Sequence, residues 1–433
     1  MTFSRNLLSI TALPLLLALA LVACGGANDA DTTDEPTATP RATATPSVAS
    51  VDTDDAPPPP TPVPDPTATP APDPQAGPQG SEGLLAPELV GISSYINTEP
   101  FTLKELRGDK VVLIDFWTYT CVNCIRTLPF IKEWHEKYKD AGLVIVGVHA
   151  PEFEFEKLEE NVKMAVDEWG IEYPVVLDND HGTWDAFLNR SWPAKYLIDK
   201  DGEIRYTHFG EGEYIETEDQ IRKVLAELDP DVASIEHSNI EDADFHLDAL
   251  AQDALEGLTR ELYAGVERNY GALQYGGSPY VLHEEYYHGL GRVVEYEDTE
   301  EEHYNQFIYL QGSWINELEN LRHARVTENY EDYILVNFKA AEVNVVLTIG
   351  DSDEPYDVRV LVNDEPVKEE QAGLDVQWDG EGNSFITVEE PRMYRVIQLD
   401  DFEGHELKLS SNSDQFRVFA YTFGAYVEEQ PLP

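Results

Sequence analysis

Between residues 84 and 229 the apolar positions follow two alternating rhythms. Lys110-Val-Val-Leu-Ile-Asp-Phe-Trp117 is a near-continuous apolar run of strand length, the pattern of a strand buried on both faces in a parallel sheet. Directly after it the period lengthens: Leu128, Ile131, Trp134 and Tyr138 recur on one side of a predicted helix from Ile125 to Tyr138. Leu143-Val-Ile-Val-Gly-Val-His149 reads as a second buried strand, Phe155 to Trp169 as an amphipathic helix and Pro174-Val-Val-Leu-Asp178 as a short strand. Thr183 to Asn189 is expected to be helical. Ala194-Lys-Tyr-Leu-Ile-Asp199 and Glu203-Ile-Arg-Tyr-Thr-His208 form a hairpin joined by Lys200-Asp-Gly202, and Thr217 to Leu228 is a closing helix. This order predicts an α/β domain, a central sheet with helices on both faces.

The pattern changes on either side. Residues 230–275 form an acidic connector with helical spacing at Leu247, Leu250, Leu255, Leu258 and Leu262. From 276 to 426 several runs alternate with period two, among them Val343–Ile349, Asp357–Val362, Phe385–Val388, Tyr394–Leu399, Glu406–Leu409 and Phe416–Phe423. Short strands at such spacing predict an all-β antiparallel sandwich, jelly-roll-like in order, before a tail at 427–433. At the other end Arg5 precedes an apolar stretch from Leu7 to Ala20 and then Leu21-Val-Ala-Cys24-Gly-Gly. That is a signal peptide over 1–23 with a lipobox, in which the Cys24 thiol accepts diacylglycerol; an uncleaved anchor or an ordinary secretory signal is the competing reading. Residues 24–83 are poor in bulky apolar side chains and rich in Pro, Thr, Ala and Asp. They are expected to be a disordered tether with a reach on the order of 170 Å, or equally a passive linker or glycosylated stalk. No later segment approaches the roughly 20 apolar residues of a spanning helix.

Charge narrows the partners. Asp plus Glu number 83 against 29 Lys plus Arg, a formal net charge of -54, which repels nucleic acid and anionic lipid head groups. Adaptation to high salt, or solubility, accounts for it as well as any cationic partner does. Of the three cysteines, Cys24 has its own role, which leaves Cys121 and Cys124 as a C-x-x-C pair at the junction of strand and helix. There unsatisfied N–H groups and the positive end of the helix dipole favour a Cys121 thiolate, with Cys124 one turn later on the same face. Export to an oxidising compartment suits disulfide chemistry. Zinc is the chief rival, but it needs two further ligands and no other cysteine is free; an inert disulfide is the other alternative. His149 and Glu152, at a strand end and in a loop, read more readily as solvated side chains than as tuners of the thiols.

Asp115-Phe-Trp, a Cys pair starting six residues after that Asp, and Pro129 five residues after the second Cys resemble the thioredoxin superfamily. The segment between Pro151 and Pro174 is similar to the membrane-anchored TlpA and ResA-like branch. The strings Trp117-Thr-Tyr-Thr-Cys-Val-Asn-Cys-Ile-Arg-Thr-Leu-Pro, Gly147-Val-His-Ala-Pro-Glu-Phe, Trp192-Pro-Ala-Lys-Tyr-Leu-Ile-Asp and His208-Phe-Gly-Glu-Gly look most like the periplasmic thioredoxin-like part of the DipZ family. The resemblance implies that Cys121 attacks a disulfide, Cys124 resolves the mixed disulfide, and Asp115 takes up or returns the proton of Cys124. It implies that Pro193 is the cis-proline facing the pair, that Trp192 shapes a substrate groove, and that Trp117 packs beside the disulfide at the substrate site. No cofactor beyond the Cys121–Cys124 disulfide and no metal are expected. Partners are expected to be protein thiols and disulfides, a membrane electron donor of DsbD or CcdA type, and the membrane itself through the lipid. Thr120 stands where a Trp often precedes the first Cys, and Val122-Asn123 where Gly-Pro is common, so a redox potential does not carry over.

The strand order of residues 276–426, with Gly289-Leu-Gly-Arg292 and Gly312-Ser-Trp314, resembles the carbohydrate-binding-module-like C-terminal domain of DipZ proteins. The lipid anchor is expected to stand in place of that family's multi-pass membrane domain. Trp314, Tyr309 and Trp378 could form a sugar-stacking platform, though aromatic residues in sandwiches are more often core. Two further functions stay open at this stage. One is an envelope lipoprotein that binds glycan or protein and carries a vestigial Cys pair. The other is a thiol peroxidase, since Thr118 lies three residues before Cys121, although Ile114 replaces the proline that opens the peroxidatic motif.

Overall fold

In the computed structural model, residues 83–238, 257–300, 302–352, 354–400 and 402–424 are described. The signal segment, Cys24, nearly all of the tether, part of the connector and the whole of the tail lie outside them. The first sheet is built from β1 (Ser94–Ile96), β2 (Val111–Trp117), β3 (Leu143–His149), β4 (Val175–Leu177), β5 (Ala194–Ile198) and β6 (Ile204–Phe209), in the order β1-β4-β3-β2-β5-β6. β2, β3 and β4 run parallel, while β1, β5 and β6 pair antiparallel. The helices are α1 (Leu103–Leu106), α2 (Val122–Tyr138), α3 (Glu159–Glu168), α4 (Gly182–Ala186) and α5 (Tyr214–Leu225).

All seven residues of β2 are buried because helices cover both faces. Val111, Leu113 and Trp117 share one core with Leu128, Ile131, Trp134 and Tyr138 of α2 and with Ile221 and Val224 of α5. Val112, Ile114 and Phe116 pack on the opposite side with Leu103, Phe187 and Tyr196. This alternation assigns Asp115, an odd-numbered residue, to the α2 face. Each fully buried large side chain in these layers stabilises the fold by about 1.5–3 kcal/mol.

Two local expectations change. The helix predicted from Phe155 to Trp169 is a single 3-10 turn, Glu154–Lys157, followed by α3. Glu156 turns inward and accepts hydrogen bonds from the Glu152 and Phe153 N–H groups, which breaks the helical run at Leu158. The one-turn helix α1 and the short edge strand β1 were outside the predicted set. α1 is closed by a capping box in which Glu105 accepts from the Thr102 N–H and Thr102 from the Glu105 N–H, a T-x-x-E signature open to reading in the sequence.

The second half holds α6 (Val266–Gln274) and thirteen strands in one antiparallel network. The strands are β7 (Leu262–Tyr263), β8 (Val293–Tyr296), β9 (Ile308–Asn316), β10 (Leu321–His323), β11 (Tyr333–Lys339), β12 (Glu342–Leu347), β13 (Tyr356–Val362), β14 (Glu365–Pro366), β15 (Gln377–Trp378), β16 (Ser384–Val388), β17 (Arg392–Gln398), β18 (Gly404–Ser410) and β19 (Arg417–Gly424). The main path is β15-β16-β13-β18-β11-β9-β10-β19-β12-β17. β9 makes a corner in the sheet: Ile308–Gln311 pair with β11, and Trp314–Asn316 pair with β10. Gly312 sits at that corner with φ +89, and a Cβ there would meet the buried Asp332 carboxylate at 2.1 Å, so only glycine fits. Leu310, Trp314, Val336, Val345, Val360, Leu409 and Val418 meet in a single core. Leu262, the last member of the predicted helical connector, is instead in β7, paired with β19; the sheet therefore starts ahead of residue 276.

A separate apolar cluster joins the two halves: Val122 and Ile125 of α2 and Phe153 pack against Val346, Met393, Phe419 and Ala420. Beside it Arg126, nearly fully buried, reaches Glu342 of β12 at 2.6 Å. The second half thus lies directly on the first turn of α2.

Candidate active site

β2 delivers the chain to the end of the sheet at Trp117, and α2 begins at Val122. Cys121 is its N-cap, in extended backbone (φ -81, ψ 113), and its Sγ accepts the Cys124 N–H at 3.3 Å. That bond fixes the sulfur over the first turn of the helix. Cys121 is half-buried and Cys124 buried, and both thiols are unbonded. Burial pushes the Cys124 thiol well above the usual cysteine range, with the neighbouring Cys121 sulfur adding to the rise. The pair is therefore asymmetric, one sulfur open to a partner and one held protonated beneath it.

Asp115 is buried on the α2 face, and burial pushes its carboxyl up to about 6 against the opposing pull of Lys195. Lys195 lies directly across from it in the β2–β5 register and is fully buried. Its Nζ is 3.8 Å from Asp115 Oδ1, an ion pair too long for a hydrogen bond. Burial pushes the ammonium down, so both members of the pair are moved toward neutrality. Lys195 was not among the expected site residues. Its signal was a lone charge inside the apolar run Ala194–Ile198.

The Trp192–Pro193 peptide bond is cis, and the Pro193 carbonyl accepts the Gly210 N–H at 2.8 Å. Trp192 is half-buried, donates Nε1–H to the Ala150 carbonyl at 3.0 Å and packs on Trp184 with ring centroids 4.3 Å apart. Trp117 is fully buried in the core that contains Cys124. Its expected place at the substrate surface is corrected: the helices over β2 seal it off, and it supports the dithiol from behind.

The expectation that His149 and Glu152 are solvated is also overturned. His149 is fully buried, stacks against Tyr119, and has Nε2 3.3 Å from the Thr118 hydroxyl; burial pushes its imidazole down to about 3, so it is neutral. Glu152 bridges to the second half, accepting from Arg268 at 2.7 Å and from the Tyr263 hydroxyl at 3.0 Å. Burial, with Glu261 and Glu156 nearby, outweighs Arg268 and pushes its carboxyl up to about 8. Glu156, missed in the sequence, accepts from the hydroxyls of Thr118 at 2.7 Å and Thr120 at 2.5 Å, which pins the loop that presents Cys121. Glu156 is buried, and that burial raises its carboxyl above the usual range. In the second half, Trp314 and Tyr309 are core and only Trp378 is partly exposed, so the three make no shared platform.

Residues 86–207 match the AhpC/TSA family, and residues 259–424 match the family described as thioredoxin-like C-terminal domain. Protein DipZ of Mycobacterium bovis is 44% identical over 200 residues, 45% of this chain and 27% of that protein. The chain thus spans about a quarter of the length of that relative. Thiol-disulfide oxidoreductase YkuV of Bacillus subtilis is 36% identical over 143 residues, 33% of this chain and 95% of that protein. A solution structure of a thioredoxin-like protein in the oxidized form is similar at 34% identity and a TM-score of 0.32, covering 34% of this chain and 98% of that one.

Proposed function

The chain belongs to the thioredoxin superfamily, in the thiol-disulfide oxidoreductase group that includes YkuV and the DipZ relatives, and from that premise we propose that it reduces protein disulfides through Cys121 and Cys124. The observation that carries the reading is the asymmetric dithiol at the start of α2, with Cys121 half-exposed and capping the helix and Cys124 buried on the core side. In the forward direction the Cys121 thiolate attacks a substrate disulfide and expels one substrate thiolate. Cys124, giving its proton to Asp115, then displaces the second. Two electrons pass to the substrate, which leaves as two thiols, and the chain is left with the Cys121–Cys124 disulfide. Trp192 and the Pro193 loop line the approach to Cys121 in this reading.

Export on the signal segment and anchoring through Cys24, which the lipobox at residues 21–24 supports, and re-reduction by a membrane donor of the DsbD or CcdA type complete the proposal. Among the described residues no helix is long and apolar enough to cross a membrane.

Cys124→Ser is expected to accumulate substrate proteins as mixed disulfides on Cys121, visible as reducible high-mass adducts on non-reducing gels, while Cys121→Ser/Cys124→Ser gives none. Absence of adducts from Cys124→Ser would sink these roles. Titration of the couple against thiol buffers sets the direction: a potential near about -270 mV fits a reductase, and one near about -120 mV a disulfide donor.

A further inference from the structure

Four consecutive residues in the loop after β3 each touch the second half. Glu152 accepts from Arg268 at 2.7 Å and from the Tyr263 hydroxyl at 3.0 Å. Phe153 and Phe155 meet the Phe419 ring edge-on, at centroid distances of 5.2 and 4.9 Å. The Glu154 N–H donates to both oxygens of the Glu319 carboxylate, at 3.1 and 3.2 Å. This grip has a stiff mount. β7 pairs with β19, and the fully buried Asn269 of α6 donates to the Tyr263 and Gly265 carbonyls at 2.9 Å each, so Tyr263 and Arg268 are held against the core of the second half.

On its other side the same turn holds the cysteine loop. Glu156 is fully buried, and its Oε2 accepts from the Glu152 and Phe153 N–H groups at 2.5 and 2.9 Å. Its Oε1 accepts from the Thr118 and Thr120 hydroxyls at 2.7 and 2.5 Å. The Thr118 carbonyl in turn accepts the Cys121 N–H at 3.3 Å. Withdrawing any of these donors from Glu156 leaves a buried carboxyl under-paired, which is costly. The Thr118–Thr120 loop and the 152–155 turn therefore keep one relative position, and the second half fixes the turn. We infer that the second half is an integral part of the redox unit, with Arg268 and Tyr263 as positioning residues that hold Cys121 for attack through Glu152 and Glu156. The inference rests on the oxidoreductase reading and assigns the second half a role at that same site.

The test follows single-turnover reaction of the full chain, fully reduced, with dithiobis-nitrobenzoate; release of the first thiol equivalent reads attack by Cys121. Arg268→Met is expected to slow that release about tenfold, within the roughly 10²-fold that a 1 Å misplacement costs a reacting group. Tyr263→Phe, which removes one hydroxyl, is expected to slow it by less. Arg268→Lys, which keeps a cation beside Glu152, is expected to recover most of the loss. Combining Arg268→Met with Glu156→Gln separates positioning from general loosening. Acting through one chain of contacts, the double variant loses no more than the worse single variant, whereas independent effects multiply. Paired thermal melts report that each variant is folded at the assay temperature, and Tyr263→Phe takes the place of Arg268→Met in both comparisons if Arg268→Met is not. Wild-type release in both Arg268→Met and Tyr263→Phe, or losses that multiply in the double variant, would overturn the inference while the redox reading stands. A wild type inert toward dithiobis-nitrobenzoate overturns the redox reading and the inference with it.

Discussion

In the proposed reaction a single buried pair, Asp115 and Lys195, governs the proton transfer. Asp115 and Lys195 are held across the β2–β5 register and buried, so the loss of water disfavours both charges while each partly restores the other's. With its carboxyl near 6, Asp115 is ionised at neutral pH and able to accept the Cys124 proton, whereas the Cys124 thiol alone stays protonated there. Resolution of a mixed disulfide on Cys121 is therefore expected to accelerate as pH rises through about 6 and then to level. Asp115→Asn removes that limb, shifts the acceleration to the alkaline range and slows resolution at pH 7 by about 10²-fold or more, the usual scale of general base catalysis. Lys195 pulls the Asp115 carboxyl down, so Lys195→Met is expected to move the limb above 6. Stopped-flow release of the second thiol equivalent across pH 5–9 measures all three, and a wild-type limb that persists in Asp115→Asn would remove Asp115 from the mechanism. Lys195 was open to inference as a lone cation in an apolar strand. Its partner was not, because register is decided by the whole sheet.

At the scale of elements, the loop before α2 and the loop after β3 form one unit. Glu156 ties Thr118 and Thr120 to the Glu152–Phe153 turn, and Glu152 then ties that turn to β7 and α6 through Tyr263 and Arg268. Glu152 has a folded-state carboxyl near 8, above the ordinary 4.5. Its contribution to stability is thus fully present below about 4.5 and is lost as pH rises through about 8. Glu152→Gln keeps an acceptor and removes the titration. Relative to wild type, its thermal midpoint is expected to improve between pH 5 and pH 9, measured by paired melts of the full chains. A constant offset across that range would mean that Glu152 does not titrate in the fold as inferred. Alternation in β2 and the 3.6 spacing of α2 were legible in the sequence because burial repeats with the period of each element. The break at Leu158 was not, since it follows from a carboxylate turned toward residues distant along the chain.

The whole molecule carries a net charge of -54, a self-repulsion that salt screens within roughly 10 Å at 0.1 M. Its thermal midpoint is expected to rise by several degrees between about 0.05 and 1 M sodium chloride, and a flat response would show that the carboxylates are already spaced or paired enough to be neutral in effect. The strand-and-helix order of the first half, the Cys pair at the helix start, the carboxylate inside an apolar strand and the antiparallel character of the second half were determined by the sequence itself, through hydrophobic period and residue spacing. Tertiary structure alone decided which residues meet. It buried His149 and Trp117, made Trp314 and Tyr309 core, and brought Arg126 to Glu342. It also laid the second half against the first turn of α2, beside the Cys pair. Period and composition report how one element divides inside from outside, whereas these contacts depend on where separate elements pack, and residues more than two hundred positions apart share no local pattern.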